Sequence, residues 1–315
     1  MRRIAVASRS FSRHPRLREE LASRFPDFNI TFNDAGRALS GGELLEFLGG
    51  HERAIIGLER LDGAAFSALP DLKVISKYGV GFDMLDLAAM GDHGVQLGWT
   101  GGVNKRAVAE LVVSFAISLL RHVPQSDHET STGTWTPRIG RQLTGKTVGI
   151  IGCGNVGKDL VRLLQPFDCR VLAHDIRVYA EFYAAHGVSA VGLDELLSTS
   201  EIVTLHVPLD DSTANILSAQ KLSVLRRDAI LINAARGGLV DERALKQMLL
   251  GGDLAGAAFD VFATEPPEDM ELLSLASFLA TPHIGGSSEE AVLAMGRAAI
   301  DGLADYGDPE HVLRS

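Results

Sequence analysis

Three residues in the second half of the sequence are of types that suit proton and hydride chemistry. They are Arg236 in Ile232-Asn-Ala-Ala-Arg236-Gly-Gly, Glu265 in Asp260-Val-Phe-Ala-Thr-Glu265-Pro-Pro267 and His283 in Thr281-Pro-His283-Ile-Gly-Gly286. Histidine titrates in the range needed to take a hydroxyl proton and return it. A carboxylate beside it holds one tautomer and stabilises the imidazolium. Arginine grips a carboxylate through two parallel hydrogen bonds and polarises an adjacent carbonyl. Upstream, Gly152-Cys-Gly154-Asn-Val-Gly157 follows an apolar run and opens a helical pattern. Its first glycine permits a tight turn, its second lets the backbone approach a pyrophosphate, and its third lets helix and strand pack closely. The helix N-terminus then offers N–H groups and a positive dipole end to phosphates. Asp175 closes the next apolar run, near the spacing of about 20 residues at which an acid meets a ribose. A carboxylate there repels a 2′-phosphate, which favours NAD over NADP, and Arg177 softens that preference. Alone, Arg236 reads as a structural ion pair, Glu265 as a surface acid and His283 as a loop histidine. Together, after a dinucleotide fingerprint, they point to hydride transfer between a nicotinamide and an alcohol carbon.

The elements that must position these residues alternate along the chain. Ile4–Ala7, Phe28–Phe32, Ala54–Ile56, Leu72–Ser76 and Val95–Leu97 read as strands, being short and rich in branched residues. Pro15 suits a first helical turn, Ser40 and Glu43 have capping-box spacing, and Asp62 suits an N-cap. An apolar helical stretch runs from Asn104 to Arg121, and a polar segment punctuated by Gly and Pro follows from Thr130 to Arg141. The alternation resumes with six strands: Thr147–Ile151, Arg170–His174, Ile202–His206, Ala229–Asn233, Ala257–Phe259 and Phe278–Ala280. A last helix, Ser288–Leu303, has no strand after it and suits packing back on the first array. Such alternation predicts an α/β fold of two doubly wound, parallel-sheet domains. In an open α/β sheet, ligands collect outside the carboxyl ends of the strands, where Arg236, Glu265 and His283 all fall.

Composition removes other classes of function. The 315 residues carry 30 Lys and Arg against 40 Asp and Glu, a formal net charge of −10. That surplus suits neither a nucleic-acid backbone nor an anionic membrane surface. Cys153 and Cys169 provide neither a disulfide framework nor zinc-ligand spacing, so no metal is expected. The apolar stretch Leu111–Leu120 is about half a membrane span. A cytoplasmic protein is expected.

Ordered motifs covering nearly the whole chain resemble the D-isomer-specific 2-hydroxyacid dehydrogenases, in the branch that includes D-3-phosphoglycerate dehydrogenases. They run from Lys73-Val-Ile-Ser-Lys-Tyr-Gly79-Val-Gly81-Phe-Asp83 through Asn104, Ala109-Glu110, the glycine loop, His206-Val-Pro208 and Asn233-Ala-Ala-Arg236 to Glu265-Pro-Pro and Pro282-His283. The resemblance implies a flavodoxin-like substrate domain, residues 1–98 and 285–315, and a Rossmann cofactor domain, residues 99–284. It implies His283 as acid/base, Glu265 as its partner and Arg236 as the anchor of the substrate's carboxylate and carbonyl. The backbone of Tyr78, Gly79, Val80 and Gly81 would cradle the substrate carboxylate. Gly152, Gly154, Asn155 and Val156 would meet the pyrophosphate and Asp175 the ribose. His206, Pro208 and Thr213 would line the adenine side, Ala234 and Asp260 the nicotinamide side, and Gly286 would complete the cofactor site. Catalysis would occur in an interdomain cleft whose closure excludes water.

The sequence stops soon after its final helix, so no C-terminal regulatory domain is expected. A homodimer is expected, with Trp135 either packed under its loop or reaching a neighbouring subunit's site, and Arg138 and Arg141 joining from that partner. Arg9, Arg60 and Lys77 follow first-array strands and form a basic rim, which suggests a substrate with a second anionic group such as phosphate. The alternatives are a reductase of small 2-oxo acids such as hydroxypyruvate or glyoxylate, and an NAD-sensing scaffold like the co-repressors that share this fold. Formate dehydrogenases fit less well, because they pair their histidine with glutamine where this chain has Glu265.

Overall fold

In the computed structural model, residues 2–314 are described. Short runs of branched residues form the strands, and every strand pairs in parallel. The contacts divide the chain into two units, Met1–Asn104 with Ser287–Ser315, and Lys105–Gly286. The boundaries thus fall after Asn104 and Gly286, where the sequence suggested 98 and 284. Trp99 lies on the first unit's side because its indole donates to the Val80 carbonyl at 3.0 Å.

The first unit contains β1 (Arg3–Val6), β2 (Asn29–Phe32), β3 (Arg53–Ile56), β4 (Val74–Lys77) and β5 (Gln96–Gly98), in the order β2-β1-β3-β4-β5. This is the flavodoxin-like order, with its switch point between β1 and β3. Pro15 opens the helix Pro15–Arg24, and the Asp62 carboxylate accepts the Ala65 N–H at 2.9 Å. Ser40 precedes the helix Gly41–Leu48 but makes no side-chain cap bond. Glu43, its expected partner, pairs with Arg37 at 3.0 Å instead. The late helix Glu289–Gly302, capped by Ser288, completes this unit. The Ser76 hydroxyl donates to its Ala299 carbonyl at 2.6 Å. Gly98 and Gly302 meet so closely that a Cβ on Gly98 would overlap the Gly302 carbonyl.

The second unit contains β6 (Thr147–Ile151), β7 (Arg170–His174), β8 (Ser189–Ala190), β9 (Ile202–Leu205), β10 (Ile230–Asn233), β11 (Gly256–Phe259) and β12 (Phe278–Ala280). Their order, β12-β11-β10-β9-β6-β7-β8, is the Rossmann arrangement extended by one strand. Alternate residues feed two cores: Val148, Ile150 and Val171 go to one face, Ile151, Leu172 and Val203 to the other. Both faces are covered, as parallel sheets require. The helix Lys105–Leu120 buries Val108, Ala109, Val112, Phe115, Ala116 and Leu120, a helical stripe that packs in the first of these cores. Strand β8 escapes a sequence reading because its two exposed residues present no apolar run. Among the described residues, no single helix is long and apolar enough to cross a membrane.

Candidate active site

Register sets the site. Leu205 pairs with Asn233, Asn233 with Phe259, and Phe259 with Ala280, so four strands end on one row. His206, Ala234, Asp260 and Thr281 are the next residues along each chain path, and the chemistry-bearing loops leave from there.

The switch point between β6 and β9 carries the glycine loop. Gly152 sits at φ +91°, and a Cβ there would lie 2.6 Å from the His206 carbonyl oxygen. Gly157 touches the Gly152 carbonyl so closely that no side chain fits. Gly154, by contrast, has nothing within 4 Å of where its Cβ would be, and it caps the helix Asn155–Leu164. The first and third glycines are thus required by the protein itself. The second leaves open space at a helix N-terminus, which fits a pyrophosphate. Asp175 fixes this loop: its Oδ2 accepts the Cys153 N–H at 2.7 Å and its Oδ1 the Arg177 N–H at 2.8 Å. Burial pushes the Cys153 thiol up to about 11, keeping it protonated inside the loop. His206 bonds Thr204 Oγ1 at 3.0 Å, and burial lowers it to about 3, so it is neutral near pH 7. Val156 is half-buried at the start of the helix, and exposed Pro208 follows β9. The Thr213 hydroxyl donates to the Pro208 carbonyl at 2.6 Å and closes the turn between them.

His283 and Glu265 meet directly. His283 Nδ1 lies 2.8 Å from Glu265 Oε2, while Glu265 Oε1 accepts the Phe262 N–H at 3.1 Å. Their side chains are 48% and 40% exposed, so the imidazole edge is reachable. His283 adopts φ +55°, uncommon for a residue with a side chain. Asp260 holds it there. This carboxylate, 1% exposed, accepts the Thr281 hydroxyl at 2.5 Å, the Ile284 N–H at 2.7 Å and the Gly285 N–H at 2.7 Å. Its side chain is committed to the loop bearing His283. Gly286 ends that loop, half-buried.

Arg236 leaves β10 through a loop clamped by Asn233. The Asn233 amide donates to the Arg236 carbonyl at 2.8 Å, and its Oδ1 accepts the Ala235 N–H at 3.2 Å. Buried Ala234 lies inside this clamp. A Cβ on Gly237 would overlap the Phe262 carbonyl, so the Arg236 loop rests directly on the loop carrying Glu265.

In the first unit, the loop after β4 is tied back by its carbonyls. Lys77 Nζ donates to the carbonyls of Gly57 at 2.6 Å and Tyr78 at 2.9 Å. Trp99 holds the Val80 carbonyl. Among the described residues, no hydrogen bond uses the N–H of Gly79, Val80 or Gly81. Gly79, at φ +102°, turns the chain so that a run of donors remains for an anion. The Tyr78 ring packs edge-on against Phe11 at 5.8 Å, and burial raises its phenol, which bonds Ser10.

Residues 113–285 match the model of the D-isomer specific 2-hydroxyacid dehydrogenase, NAD binding domain. Over 313 residues the chain is 32% identical to a glycerate dehydrogenase of Methylorubrum extorquens, covering 95% of this chain and 97% of that one. The chain belongs to the D-isomer specific 2-hydroxyacid dehydrogenase family. Its second unit carries the family's NAD-binding domain. A D-3-phosphoglycerate dehydrogenase of Methanocaldococcus jannaschii is 36% identical over 228 residues, 71% of this chain but 44% of that one. The chain spans about half the length of the first curated relatives it matches. Among solved structures, the TT0316 protein from Thermus thermophilus superposes with a TM-score of 0.82 at 30% identity, covering 96% of this chain and 94% of that one.

Against this family background the basic rim is uneven. Arg9 and Arg60 are exposed, and among the described residues neither has an ion pair. Lys77 does not join them as a free surface charge: it is 3% exposed and bound by two carbonyls. Arg138 is answered within the chain by Glu129, and Arg141 lies 3.6 Å from Asp228. The supporting roles of Asn233 and Asp260 were not assigned from sequence. A polar residue ending an otherwise apolar strand was the available signal for the first.

Proposed function

We propose that this protein catalyses reversible, NAD-dependent hydride transfer between a D-2-hydroxy acid and the corresponding 2-oxo acid. The observation that carries the reading is the 2.8 Å contact of His283 Nδ1 with Glu265, on a loop locked by Asp260. With Nδ1 held, Nε2 is the nitrogen left to give a proton to the carbonyl oxygen in reduction and to take it back in oxidation. Glu265 keeps the ring oriented and stabilises the imidazolium. Arg236 binds the substrate carboxylate and polarises the neighbouring carbonyl. Among the described residues the N–H groups of Gly79, Val80 and Gly81 are unbonded and suit an anionic group, which supports the first unit as the substrate domain. NAD, when bound, supplies or accepts the hydride. Gly152, Gly154, Asn155 and Val156 would hold its pyrophosphate and Asp175 its adenosine ribose, with His206, Pro208, Thr213, Ala234 and Gly286 around it.

For the substrate we favour an acid with a second anionic group, because Arg9 and Arg60 stand exposed near first-sheet strand ends, without ion pairs among the described residues. The engagement of Lys77 by backbone carbonyls favours the narrower reading, a small acid such as hydroxypyruvate or glyoxylate. Steady-state comparison of phosphorylated or dicarboxylic 2-oxo acids with small ones, followed by NADH absorbance, decides between them. A strong preference for small acids removes the doubly anionic reading. No turnover with any acid removes the enzyme reading and leaves the cofactor-sensing scaffold. A homodimer belongs to the same proposal. Trp135 is 81% and Ile139 97% exposed on the segment following Val123–Ser131, a helix with no buried residue. Sedimentation of the wild type and of Trp135→Ala tests it, with a monomeric wild type as the contrary result. The reading places the protein in the cytoplasm.

A further inference from the structure

The loop carrying Glu265 is held from one side by a residue that touches none of the reacting groups. Glu242 begins the helix Glu242–Gly251, and its Oε1 accepts the Ala263 N–H at 2.8 Å. The same stretch of backbone makes two other contacts that matter. The preceding N–H, on Phe262, donates to Glu265 Oε1 at 3.1 Å. The Phe262 carbonyl and the Ala263 nitrogen form the surface on which Gly237, next to Arg236, rests without room for a Cβ. Two consecutive peptide units, either side of Phe262, therefore join the loops of Glu265 and Arg236, and Glu242 anchors the second of them. Packing does not do so alone, because a crevice of about 150 Å³ lies between Glu242, Phe262, Ala263, Thr264 and Pro267. Burial raises the Glu242 carboxyl above its ordinary value, and nearby Asp269 adds to the rise. A carboxyl kept partly out of water for one backbone N–H is a strained choice unless the position of that N–H matters.

We infer that Glu242 is a positioning residue for the reaction, setting Glu265 and the Arg236 loop through the Ala263 N–H. The inference rests on the dehydrogenase reading of the same site. Reach is the decisive property. A glutamine keeps a carbonyl oxygen at the same distance, an aspartate falls one methylene short, and an alanine offers no acceptor.

The test measures kcat and KM with NADH and the best 2-oxo acid for wild type, Glu242→Gln, Glu242→Asp and Glu242→Ala. NADH binding by fluorescence and a thermal melt accompany each variant. Wild-type turnover establishes the reaction, and its absence with every acid defeats the dehydrogenase reading and this inference with it. Given turnover, Glu242→Ala and Glu242→Asp should lose kcat by about tenfold or more while NADH affinity stays within about twofold. Glu242→Gln should stay within about threefold of wild type. Full activity in Glu242→Ala overturns the inference. So does the reverse order, with aspartate active and glutamine inactive, since that would make charge rather than reach the property used. If Glu242→Ala fails to fold, the Gln–Asp contrast alone decides.

Discussion

The carboxylate-held loops of the second unit and the loop after β4 in the first are fixed with opposite polarity. In the second, carboxylates accept backbone N–H groups: Asp175 from Cys153 and Arg177, Asp260 from Ile284 and Gly285, Glu265 from Phe262. In the first, donors take backbone carbonyls: Lys77 those of Gly57 and Tyr78, Trp99 that of Val80. A loop whose N–H groups are consumed presents side chains, as the His283 loop does, while the Arg236 loop is held by Asn233 through one carbonyl and one N–H. A loop whose carbonyls are consumed presents N–H groups, which suit an anion of any side-chain preference. On the proposed function, side-chain chemistry and backbone recognition would thus divide between the units.

That contrast can be broken from either side. The largest effect is expected on the second unit's side chains. His283→Ala and Arg236→Ala should each lower kcat/KM by about 10²–10⁴, with an unchanged circular dichroism spectrum. Unaltered turnover in His283→Ala would show that the acid/base lies elsewhere. Next comes Asp260→Ala, which strips the acceptor from two N–H groups and a hydroxyl in a buried place. A loss of about 3 kcal/mol in denaturant unfolding is expected, together with lower kcat. A paired measurement then sharpens the comparison. Lys77→Met should raise the KM for the acid about tenfold and spare NADH affinity, whereas Asp175→Ala should weaken NADH binding about tenfold. If both variants changed the same constant, the separation of roles would fail. The smallest effect is chemical. With its thiol pushed up to about 11, Cys153 should resist iodoacetamide in the native protein at pH 8 and react on unfolding, as read by mass spectrometry.

Much of the architecture was legible because it rests on local rules. Branched runs gave the strands, Asp62 and Ser288 capped helices as their types suggest, and the glycine fingerprint fell between strand and helix as its chemistry requires. The meeting of Glu265 with His283 was legible for a related reason, since few residue types suit such a pair. What stayed hidden depends on backbone partners, which no sequence spells out. Asp260 binds N–H groups more than twenty positions away, and nothing in its neighbours announces that. Lys77 read as a rim charge because lysine is rarely buried, yet two carbonyls compensate it. Ser40 and Glu43 had the right spacing for a capping box, and a competing arginine six residues before the glutamate took one of them.

The seat of the late helix on the first sheet has a consequence for how the protein is made. Residues up to Asn104 precede the second unit in the chain, but their unit lacks Glu289–Gly302 until Lys105–Gly286 has been synthesised. Until then the face of β4 and β5 around Ser76 and Gly98 has no cover, and the glycine contact that seats the helix leaves no slack for another segment of ordinary side chains to substitute. The middle unit, continuous from Lys105 to Gly286, can finish while the earlier one waits. A unit completed only by a segment that follows the whole second unit leaves its open sheet face exposed to aggregation in the interval.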